Sequence, residues 1–219
     1  MIQINTIKLI KPTIMKKLII ILLFIPVVAL SQTEEKQGHF QLGAGFSFGG
    51  FYPEKINNAL DELFAGTDVE TGTTDLFMNL GGRIFAGYET KSNIGFEGFL
   101  EGAIAPKIVT FSDGSDDITY SLNRTSIGLK LTYALHMGKR NSIILGAGPM
   151  YNIIKFKFDG DESLKGTSVG AKFSVAYQFN YRHIAPRVFI DFDLAKAKDN
   201  GIEMNYSGGQ FGIAFSGLW

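Results

Sequence analysis

Residues 210–219 (QFGIAFSGLW) alternate large apolar side chains, Phe211, Ile213, Phe215 and Trp219, with small or polar Gln210, Gly212, Ala214 and Ser216. An extended segment with this pattern has one oily face and one small, polar face. About ten residues of tilted strand cross the hydrocarbon of a bilayer, and there every backbone N–H and C=O needs an internal partner, so strands span only as closed barrels. The segment therefore constrains fold and location together, provided that more strands of the same kind exist to close the sheet.

Seven others do. Period-two alternation marks strands at His39–Gly49, about Leu76–Tyr88, Ile94–Ile104, Ser126–His136, Ile143–Ile153, Ser168–Tyr181 and Ile184–Leu194, with Gln210–Trp219 as the eighth. Pro149 interrupts the fifth, and because proline removes a ladder donor a bulge is expected near it. Short connections (Glu89–Asn93, Met137–Asn141, Tyr181–His183) alternate with long polar ones (Gly50–Asp75, Phe111–Tyr120, Asp159–Gly166, Ala195–Gly201). In outer-membrane barrels the short turns face the periplasm and the long loops face outside. The expected fold class is thus all-β, an eight-stranded antiparallel transmembrane up-and-down barrel. A short helix is expected in the first extracellular loop, where Pro53 precedes Ile56, Leu60, Leu63 and Phe64 at helical spacing and Gly66 follows.

The front of the chain agrees with export. Lys16 and Lys17 precede an apolar run from Leu18 to Leu30, and Ala29-Leu30-Ser31 supplies small residues before Gln32. Residues 1–31 read as a signal peptide, with Met15 as an alternative start, and residues 32–219 as the barrel domain. The run is too short for a spanning helix. Removing the leader's four lysines from the 21 basic residues leaves 17 against 21 acidic, a net charge of −4, which disfavours nucleic acid as a partner. Cysteine is absent, so disulfides, thiol chemistry and a lipoprotein anchor are not expected.

Alternation alone does not say which face points inward, and a lipocalin-like or avidin-like barrel would turn the apolar face in. An eight-stranded interior is just wide enough for side chains to fill it, too narrow for the Phe, Leu, Ile, Val and Tyr of eight strands. The Gly, Ser, Ala and Thr face suits it, so the apolar face belongs to lipid. Charges on the inner face then need partners. With the short turns as pivots, Arg83 is expected opposite Phe99 and diagonal to Glu97 and Glu101. Lys172 should face Asp191 or Asp193 across the sixth and seventh strands, where Arg187 shares the polar face, and Lys130 should point into space left by Gly148.

Catalytic and metal-binding readings are weaker. His39, His136 and His183 map to the periplasmic end and are read as interfacial polar residues. Glu97 and Glu101 are read as ion-pair partners of Arg83 in preference to an acid–base pair. The acidic stretches Asp113–Asp117 and Asp159–Glu162 lack cation-loop spacing. No cofactor and no resident metal are expected. Gly43-Ala-Gly45 and Gly146-Ala-Gly148 are strand alternation, since neither opens a helix.

The leader MKKLIIILLFIPVVALSQ, the opening FQLGAGFSFGG and the closing GGQFGIAFSGLW resemble those of small eight-stranded outer-membrane barrels, similar to the OmpA membrane domain and to the porin-like or PorT-like barrels of the Bacteroidetes. The resemblance implies a cell outer-membrane location, contact with outer-membrane lipid and lipopolysaccharide, and a C-terminal strand (Phe211, Ile213, Phe215, Trp219) recognised by the barrel-assembly machinery. It brings no catalytic motif. The expected function is non-enzymatic: a largely filled lumen with loops for interaction, for envelope integrity, or for an envelope or secretion partner. The alternatives are a narrow porin or transporter for small solutes and an outer-leaflet lipid-modifying enzyme.

Overall fold

The computed structural model describes residues 38–65, 76–110, 118–137, 140–159, 161–181 and 183–219, with backbone alone at 161–163. The leader, Gly66 and the stretch Asp113–Asp117 lie outside them, as do the side chains of Asp161 and Glu162. Eight strands close a barrel: β1 (His39–Phe51), β2 (Met78–Glu89), β3 (Ile94–Val109), β4 (Ile118–Met137), β5 (Asn141–Phe158), β6 (Asp161–Phe179), β7 (Ile184–Leu194) and β10 (Gly208–Leu218). Each pairs antiparallel with its sequence neighbour in the wall, and β1 closes on β10 from Gln41↔Leu218 to Phe51↔Gly208. Closure runs to the last residue, because Phe40 and Trp219 exchange backbone hydrogen bonds of 2.9 and 3.0 Å and their rings lie 6.0 Å apart.

The apolar face is outside. Phe46, Leu80, Ile127, Val169 and Phe215 are among the large hydrophobic residues exposed on the wall, whereas Arg83, Glu101, Lys172 and Asp191 are buried within it. This is the arrangement in which lipid, and not water, solvates the barrel.

Strands β3 to β6 are longer than the alternation indicates, at 16, 20, 18 and 19 residues against 11 to 13 for the other four. A tilted strand needs about 9–11 residues to cross, so these four continue beyond the lipid on the long-loop side. There the polarity of the two faces inverts. Ala105, Val109, Tyr120, Leu122, Ile154 and Phe156 point inward and are buried, and Ser121, Asn123, Lys155 and Lys165 take the outer positions. A single oily-face template loses a strand at that inversion. The bulge expected at Pro149 is not there: the β4–β5 register is unchanged from Gly128↔Met150 to Leu131↔Ala147, and the irregularity lies at Phe156/Lys157.

Two elements fill the upper interior. Helix α1 (Glu54–Leu63) begins after Pro53, whose carbonyl accepts from the amides of Ile56 and Asn57. It buries Ile56, Leu60 and the following Phe64, while Leu63, expected on the same face, is 58% exposed. A small hairpin, β8 (Lys196–Asp199) and β9 (Ile202–Asn205), buries Ala197 and Met204. It occupies what the sequence reads as part of a long polar loop. Its two-residue turn is Asn200-Gly201, both at positive φ (49° and 83°), the combination that matches the twist of paired strands.

Candidate functional site: a charged lumen under an apolar cap

The inner face of the membrane zone holds an ion-pair network. Arg83 Nη2 lies 2.5 Å from Asp191 Oδ2. Lys172 Nζ sits among three carboxylates, 3.0 Å from Glu101, 3.1 Å from Asp191 and 2.7 Å from Asp193. Arg124 pairs with Glu101 and, at 2.6 Å, with Asp193. Glu97 joins Lys130 at 2.7 Å and Arg187 at 2.6 Å. Neutral groups add to the shell: Ser174 Oγ donates to Asp191 and accepts from Lys130, while Arg187 donates to Gln41 and Gln178. Lone buried charges would be costly, and their mutual pairing with further hydrogen bonds is what makes the burial tolerable.

The expected partners shift in detail. Arg83 stands opposite Glu101, not Phe99, because the β2–β3 turn centres one residue later: Thr90 and Ile94 are bonded, and Asn93 takes a left-handed φ of 66°. Arg83 then reaches across the lumen to Asp191 on β7. Lys172 meets both Asp191 and Asp193. Lys130 does not enter the space beside Gly148, where the backbone of Leu129 and Lys130 already lies, and reaches Glu97 instead. Arg124 is absent from the sequence reading, which starts the fourth strand at Ser126. It shares parity with Ser126, Gly128 and Lys130, and continuing that parity two residues further finds it.

Aromatic rings separate the charges. Arg83 lies 3.5 Å from the centroid of Phe189 and Arg187 4.7 Å from that of Phe85, and Lys130 and Lys172 flank Phe99 at 5.6 and 5.5 Å. Each of these three phenylalanines stands opposite a glycine on the neighbouring strand, Phe85↔Gly43, Phe99↔Gly128 and Phe189↔Gly212. The ring covers the bare backbone there, a device that fills space and fixes register.

Above the network, Arg124 faces the ring of Tyr206 at 4.9 Å, and Tyr206 stacks on Phe51 at 4.3 Å. Burial pushes the Tyr206 phenol well above its ordinary value, so it stays neutral over the charges. The cap is tied down at fully buried Asn57, whose Nδ2 donates to the Leu76 carbonyl (3.2 Å) and whose Oδ1 accepts from the Leu76 amide (3.0 Å). Asn57→Leu would strand both backbone groups of buried Leu76 and should weaken the cap by about 2–4 kcal/mol. The expected result is faster proteolysis within the first loop while the barrel keeps its compact gel migration.

At the opposite, short-turn end His136 donates from Nε2 to Glu89 Oε1 (2.9 Å) and shares a hydrogen bond between Nδ1 and Ser142 Oγ (2.8 Å). The order Ser–His–Glu resembles a nucleophile relay, but Ser142 is 1% exposed and is also bonded by Asn180. The hydroxyl of Ser142 is thus engaged by two side chains of the rim. His39 faces Glu89 across β1 and β2, and His183 accepts from the Leu218 amide through its carbonyl. No three His, Asp or Glu side chains among the described residues converge as metal ligands.

Several solved outer-membrane proteins share the fold. The chain is similar to Neisserial surface protein A (TM-score 0.54, 13% identity, covering 84% of this chain and 100% of that one) and to OprG of Pseudomonas aeruginosa (0.56, 13%, 84% and 97%). It is also similar to Ail of Yersinia pestis, solved with the heparin analogue sucrose octasulfate (0.50, 12%, 84% and 99%). At such identities the likeness concerns the fold alone. No curated protein matches in sequence. Residues 20–217 match the family model described as the outer membrane protein beta-barrel domain, and the chain belongs to that family.

Proposed function

We infer that this outer-membrane protein is a non-conducting, non-enzymatic barrel that acts through its surfaces. One observation carries the reading: the lumen is occupied by paired side chains beneath a folded cap. The cavity among Arg83, Glu97, Lys130, Arg187 and Asp191 has a volume of about 10 Å³, room for about one water. A solute path would have to displace both the ion pairs and the apolar layer of Ile56, Leu60, Tyr120, Leu122 and Met204. The raised wall of β3 to β6, with α1 and the β8–β9 hairpin, then serves for contact with the cell's surroundings or with an envelope partner. The outward Phe211, Ile213, Phe215 and Trp219 serve the assembly machinery.

Planar-bilayer recording of the refolded protein tests this. The expected result is a quiet membrane at protein densities where a general porin gives steps. Steady single-channel steps that persist in purified samples would show a pore and overturn the reading.

A further inference from the structure

The charges at the two ends of the barrel differ in kind. Helix α1 at the long-loop end carries Glu54, Lys55, Asp61 and Glu62, both signs together. The short turns, residues 89–93, 137–141 and 181–183, carry Lys91, Lys139, Arg140, Arg182 and His183 against a single acid, Glu89. That acid is engaged by His136 at 2.9 Å and, within the turns, leaves the basic side chains in excess.

Lys91, Arg140 and His183 are described and exposed. Arg140 is the most telling, because its guanidinium lies 5.6 Å from the ring centroid of Tyr181, which is 64% exposed in the turn after β6 and follows the outward Phe179 by two residues. A cation held against an outward aromatic sits at the wall of the barrel and not over its mouth. Trp219, 67% exposed, marks the same level on the neighbouring closure of β1 and β10. Aromatic rings concentrate at the headgroup level of a bilayer, which puts Arg140 where lipid phosphates lie, and exposed Lys91 is on the adjoining short turn, whose Glu89 and Asn93 bond to His136 and Ala134 of β4.

We propose that the short-turn rim, through Arg140 on Tyr181 together with Lys91, is a binding site for anionic phospholipid headgroups of the periplasmic leaflet. The guanidinium supplies paired donors to phosphate oxygens and the lysine a point charge. The site holds the barrel at a fixed depth and selects acidic over zwitterionic lipid around that end. This goes beyond the non-conducting reading and would stand even if the lumen conducted.

The test is native mass spectrometry of the folded full-length protein titrated with phosphatidylglycerol or with phosphatidylcholine of the same acyl chains. Phosphatidylglycerol should bind more tightly, and Lys91→Gln and Arg140→Gln should each weaken it about five-fold, following the usual attraction per basic side chain at an anionic surface. Tyr181→Leu should reproduce part of the Arg140→Gln loss. Lys196→Gln, on the hairpin at the other end, should leave the preference unchanged. Equal affinity for the two lipids, retention of the preference in the Lys91→Gln/Arg140→Gln double variant, or an equal loss in Lys196→Gln would each overturn the proposal. So would variant-sensitive binding of soluble anionic peptidoglycan fragments in place of phosphatidylglycerol. Heat-modifiable gel migration confirms that every variant compared is folded.

Discussion

Glu97→Ala is expected to lower the unfolding free energy of the barrel by about 3–5 kcal/mol, the cost of leaving a buried charge without its counter-ion. Glu97 is the carboxylate to which both Lys130 and Arg187 are paired, at 2.7 and 2.6 Å, and all three side chains are at most 6% exposed. Removing it strands two cations at once, leaving them neutral hydrogen-bond partners in Ser174, Gln41 and Gln178 and the faces of Phe99 and Phe85. Glu101→Ala should cost less, because Lys172 keeps Asp191 and Asp193 and Arg124 keeps Asp193. The urea midpoint of the folded-to-unfolded gel shift reads both. Replacing the whole group, Glu97→Leu with Lys130→Met and Arg187→Met, should recover much of the loss, since apolar side chains of similar volume commonly substitute for buried ion pairs. Salt should change little, because buried pairs are poorly screened. If Glu97→Ala unfolds at the wild-type midpoint, the network contributes nothing that water cannot replace.

How far the sequence reveals this arrangement depends on which rule governs each segment. Within the lipid zone one rule holds: small or charged inward, oily outward. Period two therefore locates all eight barrel strands and places Arg83, Glu97, Glu101, Lys130, Lys172, Arg187, Asp191 and Asp193 on one face. Above the lipid the solvent changes, so the same strands turn Leu122, Ile154 and Phe156 inward, and Arg124 falls at the changeover. Neither the strand ends nor Arg124 can be found by a template that assumes one solvent throughout. Partner choice is harder still. Arg83 pairs with Asp191, 108 residues away, and that contact depends on closure of the barrel, which links β2 to β7 through β1 and β10. The Asn200-Gly201 turn, in contrast, is a local hairpin signal that the sequence carries plainly.

Gly128→Val should abolish most of the folded, heat-modifiable species, because the inward face of β4 has no room for a side chain at this position. A Cβ there would lie 2.5 Å from Cζ of Phe99 and 2.7 Å from the carbonyl oxygen of Pro149. The ring could move, at the cost of its place between Lys130 and Lys172. The carbonyl belongs to the β5 backbone, and moving it would spread the wall. Overpacking of a filled core typically costs about 1–3 kcal/mol, and the backbone contact argues for the upper end or beyond. Gly102→Val supplies the control: its Cβ would point outward with nothing within 4 Å, and valine suits a strand in lipid, so folding should be unchanged or improved. Adding Phe99→Leu to Gly128→Val should restore only part of the yield, since it relieves the ring and leaves the Pro149 oxygen in place. Wild-type folding of Gly128→Val would mean that Phe99 is not held against β4, and the matching pairs Phe85↔Gly43 and Phe189↔Gly212 would then lose their explanation as well. If the three pairs behave alike, Gly43, Gly128 and Gly212 are there because rings lie across them, and those rings in turn hold the cations over the carboxylates that fill the barrel.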